Sequence, residues 1–262
     1  MTDCKVVALC NQKGGVTKTS STVNLGVGLA LLGKKVLLCD SDPQADLTAS
    51  LGWPNSDALS MTLADVMEKT INDEGFEHYN AILHHDEGVD LIPSSIGLSS
   101  MEMTLVNAMS REYILRNYLN RIKHEYDYVL IDCPPSLSML TINALAAADS
   151  VIVPVQAQYL PAKGMTELIK TISKVKKQIN PSLTISGILL TLVDARTNLA
   201  KAIEDRLRKQ YGGHLRIYDP RIPVSVKAAE TSAKGQSIFT YDGKSKVAEA
   251  YSELAKAVIA DA

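Results

Sequence analysis

The residues best suited to chemistry lie close together near the start of the sequence, in Asn11–Ser20 (NQKGGVTKTS). Gly14 and Gly15 carry no side chain, so backbone N–H groups there can converge on an anion. Lys18 would bring a positive charge to the β- and γ-phosphates of a nucleotide, and Thr19 a hydroxyl to Mg²⁺. A helix starting at this point adds its unpaired N–H groups and the positive end of its dipole. The general phosphate-loop pattern GxxxxGK[ST] is met in its last two positions, while Gln12 and Thr17 stand where it has glycines. The bland alternative is a glycine turn with incidental lysines. The placement between an apolar strand and a helix weighs against it.

Two further acid sites end apolar runs, which is where ligands bind in open α/β sheets. LLCDSDPQ carries Asp40 and Asp42, and YVLIDCPPS carries Asp132. A lone acid at a strand end is often a helix cap. Acids at two such ends behind a phosphate loop point instead to metal–nucleotide chemistry. The five histidines (His78, His84, His85, His124, His214) show no metal-ligand spacing, and no Ser/His/Asp set is defensible. Cys4, Cys10, Cys39 and Cys133 form no CxxC and mostly border strand-like runs, which suits packing in a reduced, cytosolic protein.

These residues need strands that end together and helices that begin where the strands end. Apolar β-rich runs are Lys5–Cys10, Lys35–Asp40, Val89–Pro93, Tyr128–Asp132, Ser150–Val155 and Thr184–Leu192. Helical patterns fall near Lys18–Leu32, Arg111–His124, Leu137–Ala147, Gly164–Ile179, Leu199–Tyr211 and Ser245–Ile259. Gly33 stands where a glycine closes a helix. Several strands are apolar on both faces, as covered parallel strands must be. The alternation predicts a single α/β domain over residues 1–262, with one doubly wound, mostly parallel sheet flanked by helices. Gly52–Gly88 reads as helix and loop decoration without an assigned role.

With 262 residues, 46% hydrophobic and 21% charged, the chain has an ordinary globular composition. Its net charge of −2 is unevenly spread. Residues 1–162 hold ten Lys/Arg against nineteen Asp/Glu, and residues 163–262 hold seventeen against ten. The C-terminal half could therefore meet an acidic polymer, or simply be a solvated helix surface. No apolar run reaches membrane-spanning length. Met1 leads directly into a strand, so neither a signal peptide nor an N-terminal helix-turn-helix extension is expected.

The KGGxxKT form resembles the deviant Walker A loop of the ParA/MinD family of P-loop ATPases. The resemblance runs nearly the length of the chain, through LLCDSDPQ, YVLIDCPPS, LVDARTNL (Leu192–Leu199), IPVSVKAAETSAKG (Ile222–Gly235) and YDGKSKVAEAY. It implies ATP and Mg²⁺ held by Lys13, Gly14, Gly15, Val16, Thr17, Lys18, Thr19 and Ser20. Lys13 would be the signature lysine, reaching the partner's nucleotide across an ATP-sandwiched homodimer as an arginine finger does. Asp42 would position the attacking water. Thr19 would ligate Mg²⁺, Asp40 would hold its water shell or the Lys18 neighbourhood, and Asp132 would be the Walker B acid. Pro223 and Val224 map to the adenine contacts.

The sequence departs from the family pattern at three places. Thr17 replaces the usual glycine, Val224 a frequent arginine, and Ala229–Glu230–Thr231 shifts the small residue after Glu230.

The closest reading within the family is a ParA/Soj-like partition ATPase, cytoplasmic and nucleoid-associated, that binds DNA non-specifically and works with a ParB-like protein. Arg206, Arg208, Lys209, Lys227 and Lys234 are its candidate DNA contacts. A MinD-like membrane switch needs a basic, bulky amphipathic tail. Tyr251–Ala262 is short, Ala-rich and acidic at its end, so no membrane docking is expected. An iron–sulfur carrier would need bridging cysteines, and a regulator that binds ATP without hydrolysing it would leave the acids unused.

Overall fold

The computed structural model describes residues 4–157, 162–194 and 196–261. Seven strands form one sheet: β1 (Lys5–Leu9), β2 (Val36–Asp40), β3 (Leu83–His85), β4 (Val89–Ile92), β5 (Tyr128–Asp132), β6 (Ser150–Gln156) and β7 (Thr184–Thr191). Their order is β3-β4-β2-β5-β1-β6-β7, and every neighbouring pair is parallel except β3 against β4. The first five helices are α1 (Lys18–Leu31), α2 (Asp46–Ser50), α3 (Leu63–Ile71), α4 (Gly97–Asn107) and α5 (Ile114–Ile122). After them come α6 (Met139–Ala147), α7 (Ala162–Gln178), α8 (Asn198–Tyr211), α9 (Val226–Lys234), α10 (Ile238–Asp242) and α11 (Lys246–Ala260).

Alternation along the strands sends neighbouring residues into two separate apolar layers. Val6, Ala8 and Cys10 face one layer with Ile131, Val153 and Leu190, and it is covered by apolar residues of α3 to α8. Val7 and Leu9 face the other with Leu38, Leu130 and Leu189, under α1, α2, α10 and α11. Each fully buried Val or Leu contributes about 1.5–3 kcal/mol, so both faces must be covered for the strands to be stable. This is the doubly wound arrangement that the two-faced apolar strands require.

Helix α1 is buried on nearly all sides. A Cβ on Gly26 would come within 2.6 Å of Leu38, and one on Gly28 within 3.3 Å of Ala255 and Phe239. The two glycines thus let α1 lie close to both β2 and α11. Its end is closed by Gly33 at φ 79°. The Gly33 N–H donates to Ala30 O and the Lys34 N–H to Leu29 O, the paired bonds of a Schellman turn.

Where observed elements differ from the sequence pattern, local chemistry explains it. The helix expected from Arg111 begins only at Ile114, because Ser110 is left-handed (φ 51°) and turns the chain. Within Gly52–Gly88 lies α3, started by a reciprocal cap in which Asp65 accepts from the Thr62 N–H at 2.7 Å. The same stretch holds β3, only three residues long, whose antiparallel pairing on β4 shields an otherwise open sheet edge.

Candidate functional site

Parallel register brings the ends of three strands level. Leu9 pairs with Asp132 across β1 and β5, and Asp40 pairs with Asp132 across β2 and β5. The chain passes from β1 to β2 over the top of β5, so the loops after these strands open into one crevice. The loop after β1 is tied down from both sides. Asn11 donates through Nδ2 to Pro154 O at 2.6 Å and accepts the Lys13 N–H at 3.0 Å. Thr191, at the end of β7, donates to Val16 O at 3.0 Å.

Between these anchors Lys13, Gly14 and Gly15 are exposed, and a Cβ added at either glycine would meet nothing within 4 Å. Internal packing therefore does not demand glycine at Gly14. Gly15 is required for its φ of 72°. Above the pair the backbone is bare. At the helix start no acidic residue occupies the first turn, and Thr17 makes no side-chain cap bond. The first N–H groups of α1 are thus left for an anion. Lys18 lies just beneath, 8% exposed.

Behind the loop stand the acids. Thr19 Oγ1 donates to Asp132 Oδ2 at 2.7 Å, and Thr22 Oγ1 to Asp132 Oδ1 at 3.3 Å. Burial pushes the Asp132 carboxyl up to about 7, against the opposing pull of the Thr19 hydrogen bond and the Lys18 charge. Asp40 is fully buried, and desolvation together with the Asp132 carboxylate raises it to about 8. Both Asp40 oxygens are engaged. Oδ2 accepts from the Thr48 N–H (2.8 Å) and hydroxyl (2.7 Å), and Oδ1 accepts from the Asp42 N–H at 3.2 Å. Asp40 therefore anchors α2 and the following loop. Asp42 is only half-buried, its carboxyl raised chiefly by desolvation, and its Oδ1 accepts the Gln44 N–H at 3.0 Å. Ser94, after β4, bonds the Asp42 carbonyl at 2.6 Å.

Val16 is buried and Ser20 half-buried, with Ser20 O accepting from Asn24. Lys13, Gly14, Gly15, Val16, Thr17, Lys18, Thr19 and Ser20 thus form one cradle, with Asp132 directly behind it and Asp42 and Asp40 on the neighbouring strand end. Pro223 bridges to Val193 beyond the end of β7, and Val224 beside it is exposed. In the Leu192–Leu199 stretch, Ala195 lies outside the described residues.

The basic residues do not share one face. Arg206, Arg208 and Lys209 are exposed on α8, whose apolar side joins one layer, while α9, carrying Lys227 and Lys234, packs against α2 and α10 over the other. Arg208 is held by Glu204 at 3.0 Å and Lys227 by Asp242 at 2.9 Å.

Sequence reasoning gave Asn11 no role of its own and missed Thr22, Thr48, Ser94 and Thr191. Each acts through a contact between residues remote in the chain or outside any motif. Cys10 and Cys133, read as packing, lie with their sulfurs 2.9 Å apart in the buried layer beneath the crevice. Burial raises the Cys133 thiol.

Sporulation initiation inhibitor protein Soj of Bacillus subtilis (strain 168) is 41% identical over 257 residues, 98% of this chain and 99% of that protein. This chain belongs to the ParA/Soj family. Chromosome partitioning protein ParA of Caulobacter vibrioides (strain NA1000 / CB15N) is 39% identical, with 97% of this chain and 94% of that protein covered. Residues 4–185 match the family described as an AAA domain. Among solved structures, that of cobyrinic acid a,c-diamide synthase from Mycobacterium smegmatis with bound ATP analog and magnesium is similar. It has a TM-score of 0.85 at 37% identity, covering 98% of this chain and 95% of that one.

Proposed function

We propose that the chain is an ATPase that binds ATP with Mg²⁺ in Lys13–Ser20, dimerises on it, binds DNA without regard to sequence, and segregates DNA with a ParB-like partner in the cytoplasm, on the nucleoid. The observation that carries this reading is the bare glycine backbone over a buried Lys18, with Thr19 bonded to a strand-end Asp132. Such a cradle fits a polyphosphate, because it supplies unpaired N–H groups and one buried cation but no competing acid in the first helical turn. Relatives named for chromosome partitioning, and a similar structure holding an ATP analog and magnesium, support the reading.

Mg²⁺ fits here with Thr19 Oγ1 as ligand and Asp132 behind it, and it would neutralise charge shared by the β- and γ-phosphates. Lys18 offsets charge on the transferred group from within the protomer. Asp42, at the mouth of the crevice, accepts a hydrogen bond from water and aims its oxygen in line with the bond to ADP. That bond breaks as the new P–O bond forms, giving ADP and phosphate. Lys13 lies at the exposed tip of the loop, free to reach a second protomer. Pro223 and Val224 follow the end of β7, on the side where the base would lie.

Among the described residues no helix is long and apolar enough to cross a membrane. Helix α11 packs Val247, Tyr251, Leu254 and Val258 into the core, which favours the partition reading over a MinD-like membrane switch. The decisive experiment measures ATP turnover alone, with DNA, and with the product of the adjacent reading frame. Turnover should be slow alone and rise when both are present. Absence of nucleotide binding would remove the ATPase, and pelleting with lipid vesicles in place of DNA retention would replace partition by the membrane reading.

A further inference from the structure

Strand β6 meets its two neighbours over different lengths. It pairs with β7 as far as Gln156, whereas its pairing with β1 ends at Leu9 against Ile152. The last bond on that side runs from the Cys10 N–H to Ile152 O at 3.2 Å. Backbone groups along a strand alternate in the neighbour they face, so the next residue turned toward β1 is Pro154. Proline has no N–H, and the ladder cannot continue past it. The chain must leave the sheet after β1, which is where the phosphate loop begins.

That departure leaves one acceptor facing the gap, Pro154 O. Asn11 takes it through Nδ2 at 2.6 Å, and the other end of the same amide accepts the Lys13 N–H at 3.0 Å. A carbonyl only accepts and a backbone N–H only donates, so both ends of the amide are fixed by their partners. Aspartate, of the same shape, could not donate to Pro154 O. The side chain is buried at 8% exposure, in keeping with a bridge between strand and loop.

We propose that Asn11 is the positioning residue for Lys13, carrying the rigidity of β6 to the tip of the loop. Nothing else holds that tip by packing, since Lys13 is exposed and both glycines border open space. The far end of the loop has its own ties. Thr191 holds Val16 O at 3.0 Å, and Thr19 is bonded to Asp132 at 2.7 Å. Asn11 therefore sets Lys13 and leaves Lys18 and the start of α1 to other residues. The inference rests on the reading of Lys13 as the group that reaches a second protomer, and it names what holds that group in place.

Asn11→Ala tests it through two readouts. The first is trypsin cleavage without nucleotide, followed by mass spectrometry. Cleavage after Lys13 should speed up about tenfold relative to cleavage after Lys209, the worth of one to two lost hydrogen bonds. The second sets dimerisation against ADP affinity, with Mg²⁺ and a slowly hydrolysed ATP analogue in analytical ultracentrifugation and ADP in calorimetry. The dimer should weaken about tenfold. Affinity for ADP should stay within about twofold, because the residues that hold Lys18 are independent of Asn11.

A purely structural asparagine behaves differently. Its loss would speed cleavage at both lysines in proportion and lower ADP affinity and dimerisation alike, and that pattern overturns the proposal, as does an undiminished dimer in Asn11→Ala. Should Asn11→Ala not fold, Asn11→Ser, whose hydroxyl is too short to bridge Pro154 O and the Lys13 N–H, carries the same comparison. If the unaltered chain forms no dimer with the analogue, the reading of Lys13 fails first, and the inference with it.

Discussion

Asp40 and Asp132 end neighbouring strands in register, and both are buried with their carboxyls raised, to about 8 and about 7. An exposed aspartate in the unfolded chain titrates near 3.8. The native state therefore keeps protons that the unfolded state gives up, and stability must fall as pH rises between those limits. The contribution is complete below about 4, is lost as pH climbs to about 8, and levels off beyond. Urea unfolding without nucleotide should accordingly show lower stability at about pH 8.5 than at about pH 6. Asp40→Asn should flatten much of that slope, because an amide has no proton to lose. A slope unchanged by the substitution would show that Asp40 is ionised in the fold. Asp42 is a different kind of acid, half-buried at the crevice mouth. Asp42→Ala should still bind ATP and accumulate the dimer, with turnover reduced by two orders of magnitude or so. Rapid hydrolysis by this variant would give the water to another group.

At the scale of elements, the two basic helices are separated by the sheet, and their side chains are not equally free. Arg208 is engaged by Glu204, which also takes Arg221 at 2.7 Å. Among the described residues neither Arg206 nor Lys209 is in an ion pair, and both are exposed on the same helix. Free cations release counterions from DNA, whereas paired ones must first give up a partner. With ATP and Mg²⁺ at low salt, Arg206→Glu and Lys209→Glu should each weaken DNA retention more than Arg208→Glu, as read by fluorescence anisotropy. The dependence on log salt should also become shallower by about one phosphate for each. Equal losses from all three would mean that the pairing with Glu204 does not persist on DNA.

At the scale of the whole molecule, the proposed ATP-dependent dimer would need a group that reaches from one protomer to the other. Lys13 is exposed at the loop tip, beside a cavity of about 290 Å³ lined by Asn11, Gln12, Val16, Gln156 and Met165. A lysine needed only by its own protomer would gain from being covered, as Lys18 is. Lys13→Ala should therefore leave ADP affinity within about twofold of the unaltered chain while abolishing the proposed ATP-dependent dimer, as read by analytical ultracentrifugation. A variant that still dimerises would return Lys13 to an ordinary surface lysine. The dimer would also set two sets of basic helices against one DNA, which offsets the acidic excess of the N-terminal half.

What could be read from the sequence alone is whatever depends on neighbours in the chain. Gly14, Gly15, Lys18 and Thr19 lie within six residues, so one loop and one helix start place them together. The apolar runs named the parallel strands to within a residue or two, since burial on both faces leaves its mark in consecutive residues. Decisions that bring distant residues together had no such mark. Spacing in LLCDSDPQ does not tell Asp40 from Asp42, which only the family resemblance distinguished, and the arrival of Thr48 in the fold shows which acid is anchored and which half-exposed. The basic residues of α8 and α9 read as one charged half until the sheet came between them. Thr17 could be seen as a misplaced side chain, but its left-handed backbone and its buried, unpaired hydroxyl show only in the fold. Local pattern records the geometry of a single turn or strand, whereas such encounters depend on how helices cover the sheet, and only the tertiary structure decides that.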